Sequence, residues 1–250
     1  MQKRLFFFQM FTFFAICSIA DGATNSCHSL FYSNNDVGHY LKSGINSKIM
    51  STSGFQIINL KPLISDYQAK QLLDLMPTVG TPKIQYYGAD YTSPVVSHEI
   101  RILRGENGSL TQLEALPQEI GRPIIKFIEE LTKELNRKLA STEGEMQFSF
   151  GLIRDFSRND LIDDFHQHQN GHISMSVSLY GPGTVIPINQ KSPNLNDVNV
   201  AKTNQLVVFT DGQRARKLGI PSTLHGSPKL QPGQQRLVLL IHMELKYEKN

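Results

Sequence analysis

Cysteine is almost absent from this chain. Only Cys17 and Cys27 occur among 250 residues, and Cys17 falls inside an apolar N-terminal run. One thiol in the remainder excludes an internal disulfide framework. An excess of one charge is missing too: the net charge is +3, and Lys and Arg are scattered. A nucleic-acid-binding function, which needs a basic stripe or patch, is therefore disfavoured. No internal repeat is visible, which excludes a solenoid or an array. The longest apolar run, Leu5 to Ala20, is short for a membrane span.

What is present at the N-terminus has an order. Met1-Gln2-Lys3-Arg4 is basic, Leu5 to Ala20 carries six phenylalanines, and Ala20-Asp21-Gly22-Ala23-Thr24 is small and polar. Residues 1–23 read as a secretory signal cleaved near Ala20 or Ala23. The expected location is secreted, periplasmic or the secretory-pathway lumen, with no stable membrane span after cleavage. An uncleaved anchor and translation from Met50 are the alternatives. Asn107-Gly108-Ser109 is a glycosylation sequon that matters only in a eukaryotic secretory host. Residues 24–53, rich in Ser, Asn and Gly, form a poorly ordered leader, and 54–250 form one domain. Forty per cent apolar residues allow that domain a sizeable core.

Within it, 54–145 reads as a mixed, partly helical support. Phe55 to Leu60 is a short strand. Ser65 caps a helix that Pro77 and Gly80 stop after Met76. Glu99 to Arg104 alternates like a strand. Pro123 suits a first helical turn, and Ile124, Phe127, Ile128, Leu131, Leu135 and Leu139 make one helical stripe over 123–139. From Met146 the period changes to two. Strands are expected at Met146–Arg154, Ile173–Tyr180, Leu206–Phe209 and Arg236–Lys246, with Gly181-Pro182-Gly183-Thr184 breaking the second. Helices followed by strands give an α+β class, its barrel or sandwich core in 146–250.

The chemistry-bearing set is His166, His168, the distant His225, and Arg236 with ten residues between it and His225. Neutral imidazoles suit iron, copper, zinc and nickel, and a close pair with a distant third can make a facial metal site. Arg236 shares a strand face with Val238, Leu240 and His242. A buried arginine needs an anionic partner, and no acidic residue nearby is its obvious mate, so a bound carboxylate is expected beside the metal. Other registers remain open: Asp164 precedes His166 by two, and Asp163 or His172 could supply a ligand. His172 and His98 alone read as surface histidines, His242 as structural, and Asp160, Asp163 and Asp164 as a solvated loop.

Phe148 to Arg154, a loop, then Phe165-His166-x-His168 resembles the metal motif of the iron(II)/2-oxoglutarate-dependent dioxygenase superfamily. That family carries His-x-Asp/Glu, a distal His, and an Arg or Lys about ten residues later. Tyr180-Gly181-Pro182-Gly183-Thr184 and His225-Gly226-Ser227-Pro228 resemble an uncharacterised bacterial branch of it, so that the likeness spans 146–246. It implies a double-stranded β-helix (jelly-roll, cupin-like) barrel with supporting N-terminal helices. It implies Fe(II) on His166, His168 and His225, 2-oxoglutarate held by Arg236, and hydroxylation of a small-molecule or peptide substrate; Tyr180 reads equally as a further contact to the co-substrate or as core packing. The departure is His168, where the family has a carboxylate. A three-histidine set leaves more charge on the metal and opens an alternative: a cupin-like enzyme or metal-binding protein using copper or zinc without 2-oxoglutarate. A non-catalytic ligand-binding barrel is the third reading.

Overall fold

Long apolar stripes on helices need a flat apolar partner, and here a sheet supplies it. The structure is a computed structural model; it describes residues 54–87, 96–106, 110–156, 165–169, 171–194, 196–220 and 222–246. The signal, the leader, the sequon, Met50 and the aspartates at 160, 163 and 164 lie outside the described residues, as does the side chain of His98. Nine strands are described: β1 (Phe55–Asn59), β2 (Thr81–Tyr87), β3 (Val96–Glu106), β4 (Met146–Phe156), β5 (Ile173–Tyr180), β6 (Val185–Pro187), β7 (Val198–Val200), β8 (Gln205–Thr210) and β9 (Gln235–Leu245). Helices α1 (Asp66–Val79), α2 (Thr111–Glu114), α3 (Gln118–Glu143) and α4 (Gly212–Leu218) complete the set. Among the described residues, no helix is long and apolar enough to cross a membrane.

Seven strands form one antiparallel sheet in the order β1-β8-β5-β9-β4-β3-β2. Because alternate residues face opposite sides, each strand has two distinct edges of chemistry. Leu237, Leu239, Ile241 and Met243 of β9, Ile173 to Leu179 of β5 at odd positions, and Phe150 and Leu152 of β4 face one side. There they pack with Ile124, Phe127, Ile128, Leu131 and Leu135 of α3 and Leu72, Leu73 and Met76 of α1 in a single buried cluster. Burying each such side chain contributes about 1.5–3 kcal/mol, so this layer carries most of the stability.

Helix starts differ from the expectation in an instructive way. Ser65 does cap α1: its hydroxyl accepts from the Gln68 N–H, and the Gln68 side chain accepts from the Ser65 N–H. But α3 begins five residues before Pro123, not at it. A proline inside a helix leaves the carbonyl four residues earlier without its donor. Here that carbonyl belongs to Glu119, and the Gln68 side-chain amide of α1 donates to it at 2.9 Å. The neighbouring helix thus supplies the bond that Pro123 cannot make. Pro77 lies in the last turn of α1, where the helix runs on to Val79 rather than stopping at Met76.

Across the other face lie shorter extended segments. His166 pairs with His225, Gly226 with Val185, and β6 with β7. They follow one another edge to edge as 166, 225–226, 185–187 and 198–200. Phe55, Ile186, Ala201, Val207 and Phe209 join this layer to the main sheet in a second, smaller apolar cluster.

Candidate metal centre

His166 and His225 are brought together by backbone. The His166 N–H donates to the His225 carbonyl at 2.9 Å, and the His225 N–H returns the bond at 3.0 Å. Residues that exchange both bonds in an antiparallel pair stand directly opposite, with side chains on the same side. His168, two residues after His166 in an extended segment, joins them. Ring centroids are 4.5 Å apart for His166 and His225, 4.8 Å for His168 and His225, and 5.4 Å for His166 and His168. One nitrogen from each lies within 4.8 Å of the others. Burial is graded: His225 is buried, His168 half-buried and His166 exposed, so the cluster opens to solvent on one side.

The tautomers follow from the partners. His225 Nδ1 lies 3.1 Å from the Thr223 carbonyl, an acceptor only, so Nδ1 carries the proton and Nε2 keeps its lone pair. Phe209 stacks on the same ring at 4.1 Å between centroids. Burial, then the nearby His166 and His168 rings, hold the His225 pKa well below the ordinary imidazole value, outweighing the Thr223 carbonyl. Neutral imidazole is the form that ligates a metal. Three such nitrogens converging from one side fit a borderline or soft divalent ion.

A second group adjoins the first. Ser174 Oγ lies 2.9 Å from His168 Nδ1 and 2.7 Å from His242 Nδ1, and donates to Asp211 Oδ2 at 2.5 Å. Ser174 is opposite His242 on β9 and Phe209 on β8 in the ladder. His242 also belongs to this group, its ring 4.9 Å from that of His168.

Arg236 is buried and lies on the histidine side of the sheet, where its Nη2 donates to Ser227 Oγ, two residues after His225. The expectation that it lacks an acidic mate is corrected. Its Nε donates to Asp155 Oδ2 at 3.0 Å, and Asp155 is buried as well. The strand expected to end at Arg154 runs on to Phe156, which sets Asp155 directly across from Arg236.

Of the two readings of Tyr180, the structure shows core packing. A register shift at Ser178–Tyr180 pairs Tyr180 with Leu237, whose side chain lies in the helix-side core. Tyr180 packs there, away from the histidines, while the Ser178 hydroxyl bonds to the carbonyls of the bulge. Gly181 follows with φ +73°, and a Cβ there would meet the Gln235 carbonyl at 2.5 Å, so the turn requires glycine. His172 is neither a surface residue nor a ligand in this geometry. It is buried, and its Nε2 bonds the Glu143 carboxylate, which also takes a forked bond from Arg214. Burial alone pushes Glu143 up, but the bonds from His172 and Arg214 outweigh it and hold the carboxyl at about 2.

Sequence reasoning passed over Ser174, Asp211 and Asp155. The first is one of the serines that alternate with apolar residues along β5, a pattern that does not say what lies across from them. Asp211-Gly212 has the look of a turn or a helix cap. Asp155 could have been found by aligning β4 against β9 in antiparallel register.

No protein-family model and no curated protein sequence matches this chain; the likenesses are to solved structures. JOX2 in complex with 2OG, Fe and JA is similar over 91% of this chain and 78% of its own, with TM-score 0.59 and 12% identity. The dioxygenase for auxin oxidation 1 from Arabidopsis thaliana, in a 2-oxoglutarate complex, is similar over 89% of this chain and 92% of its own, with TM-score 0.55 and 14% identity. At these identities the likeness is one of fold.

Proposed function

We propose that this protein is a metal-dependent oxygenase of the iron(II)/2-oxoglutarate type, with His166, His168 and His225 as the metal ligands. The observation that carries the reading is the meeting of three imidazoles on one face of the sheet, two with an Nδ1 partner that leaves Nε2 for a metal. The fold shared with oxygenases solved with 2-oxoglutarate supports it. We read β4, β9, β5 and β8 with the four opposing segments as the two sheets of a double-stranded β-helix. Residues 54–250 are one domain in this reading.

Bound iron and 2-oxoglutarate would together supply the oxidising chemistry for a substrate C–H bond; the chain supplies placement. His225 is held by Thr223 and Phe209, His166 by its ladder to His225, and Arg236 by Asp155. Arg236 and Ser227 would hold the far carboxylate of 2-oxoglutarate. A small molecule or peptide would enter on the side where His166 is exposed. Residues 1–23 we read as a signal, so that the reaction belongs to a secretory lumen, a periplasm or the exterior.

Asp155 favours a second reading. An arginine already neutralised by a buried carboxylate has a weaker claim on another. In that case the site is a three-histidine metal centre using copper or zinc without 2-oxoglutarate. The test is 2-oxoglutarate binding to iron-loaded protein by calorimetry, with Arg236→Gln beside it. The oxygenase reading expects tight binding that weakens at least about tenfold in the variant, as loss of a charge-assisted bond does, with iron content unchanged. Absence of binding to the wild type would leave the three-histidine reading.

A further inference from the structure

Three neutral ligands leave a divalent ion its full double charge, yet a buried carboxylate stands one hydroxyl away. We propose that Asp211, acting through Ser174, is the positioning residue of His168. It fixes that ring with Nδ1 protonated and Nε2 free, and it carries the negative charge that a histidine at position 168 removes from the ligand set. The inference rests on the metal reading above and deepens it.

Proton counting supports the direction of each bond. Ser174 has one hydrogen to give and can accept two. Its hydroxyl donates to Asp211, which as a carboxylate only accepts, so His168 Nδ1 and His242 Nδ1 must both donate to Ser174. Asp211 Oδ1 is also 3.4 Å from His168 Nδ1. Ser174 is fully buried and Asp211 is 1% exposed, so the charge acts with little screening. The effect is to move the carboxylate of a two-histidine–one-carboxylate centre from the metal's coordination sphere to the next shell.

Two further features show that Asp211 is placed for this. It occupies the N-cap of α4, where an aspartate ordinarily bonds a backbone N–H of the first turn. Its side chain makes no such bond. A Cβ at position 171 would lie 2.2 Å from Asp211 Oδ2, so glycine there clears the space for the carboxylate. Backbone bonds dock the two segments: Gly212 N to the His168 carbonyl at 2.7 Å, Asp211 N to His172 at 3.2 Å and Gln213 N to Gly171 at 3.1 Å. His168, Asp211 and His242 could be taken as a metal cluster in their own right. One serine oxygen lies within hydrogen-bond reach of all three, so His168 Nδ1, His242 Nδ1 and Asp211 Oδ2 each already have a protein partner there.

The test is titration of the metal-free full chain with cobalt(II), followed by visible absorption, for wild type, Asp211→Asn, Ser174→Ala and His242→Asn. One cobalt ion per chain is expected throughout. Asp211→Asn, close in shape, should weaken affinity about 10–100-fold, the range for loss of an outer partner of a ligand, and shift the cobalt spectrum. Ser174→Ala should do so by a smaller factor, and His242→Asn should leave affinity unchanged. If Asp211→Asn does not fold, Ser174→Ala carries the test alone. Unchanged affinity and spectrum in the aspartate and serine variants overturn the inference. So does a wild-type stoichiometry of two that falls to one in His242→Asn, because the second cluster would then be a metal site itself. A wild type that binds no cobalt overturns the metal reading instead, and this inference with it.

Discussion

The two faces of the central sheet come from the same strands, yet one is apolar throughout its core and the other mixes apolar residues with buried polar and charged ones. On β9, Leu237, Leu239, Ile241 and Met243 meet helices, while Arg236 and His242 look toward the histidines. On β5 the odd positions are Ile, Met, Val and Leu, and Ser174, Ser176 and Ser178 face the other way. On β5 both faces are buried from Ile173 to Leu179. The helix side is held by non-directional contact, so neighbours of similar volume are interchangeable there. The histidine side buries polar groups, each of which must find a partner. Ser176 pairs with Thr184, Arg236 with Asp155, and Ser174 with Asp211. One face therefore sets how stable the domain is, and the other sets where its ligands stand.

The sharpest way to break that division is to damage the helix side alone. Phe127→Ala should cost about 3–5 kcal/mol in urea unfolding, the usual range for an aromatic removed from a core, while metal stoichiometry stays at one. Loss of metal in a still-folded Phe127→Ala would show that the faces are not separable.

A smaller effect concerns the bond between the layers. Glu143 ends α3 and holds His172 and Arg214 beside the ligand loop. Its folded pKa of about 2 lies below the ordinary 4.5. The carboxylate's contribution is thus complete above pH 4.5 and is lost as pH falls toward about 2. Glu143→Gln should be less stable than wild type at neutral pH and show a flatter acid limb in that window, read from urea midpoints. Parallel acid limbs in the two proteins would remove Glu143 from this role.

The smallest effect is Gln68→Ala. It removes half of the α1 capping box and the donor to the Glu119 carbonyl, and should lower stability by about 0.5–1.5 kcal/mol with no change in metal affinity. A loss below measurement would mean that water replaces the amide.

The helix side was the legible one. A stripe such as Ile124 to Leu139 needs only periodicity, and the alternation of β4, β5 and β9 was visible for the same reason. The histidines were legible as residues but not as a geometry, because their meeting depends on a two-residue ladder between segments 59 positions apart. Asp155, Asp211 and the Tyr180 bulge were hidden for a related reason. Each is defined by what lies across a strand, and register is not written in the period of a single segment. β2, α2, β6, β7 and α4 were missed because they are short or weakly patterned.

Metal content tests the central claim most directly. Wild type, His225→Ala and Phe127→Ala would be loaded anaerobically with iron(II), desalted and analysed for iron per chain. One iron in the wild type and in Phe127→Ala, with almost none in folded His225→Ala, is the expected result. Iron retained by His225→Ala, or none bound by the wild type, would contradict the account.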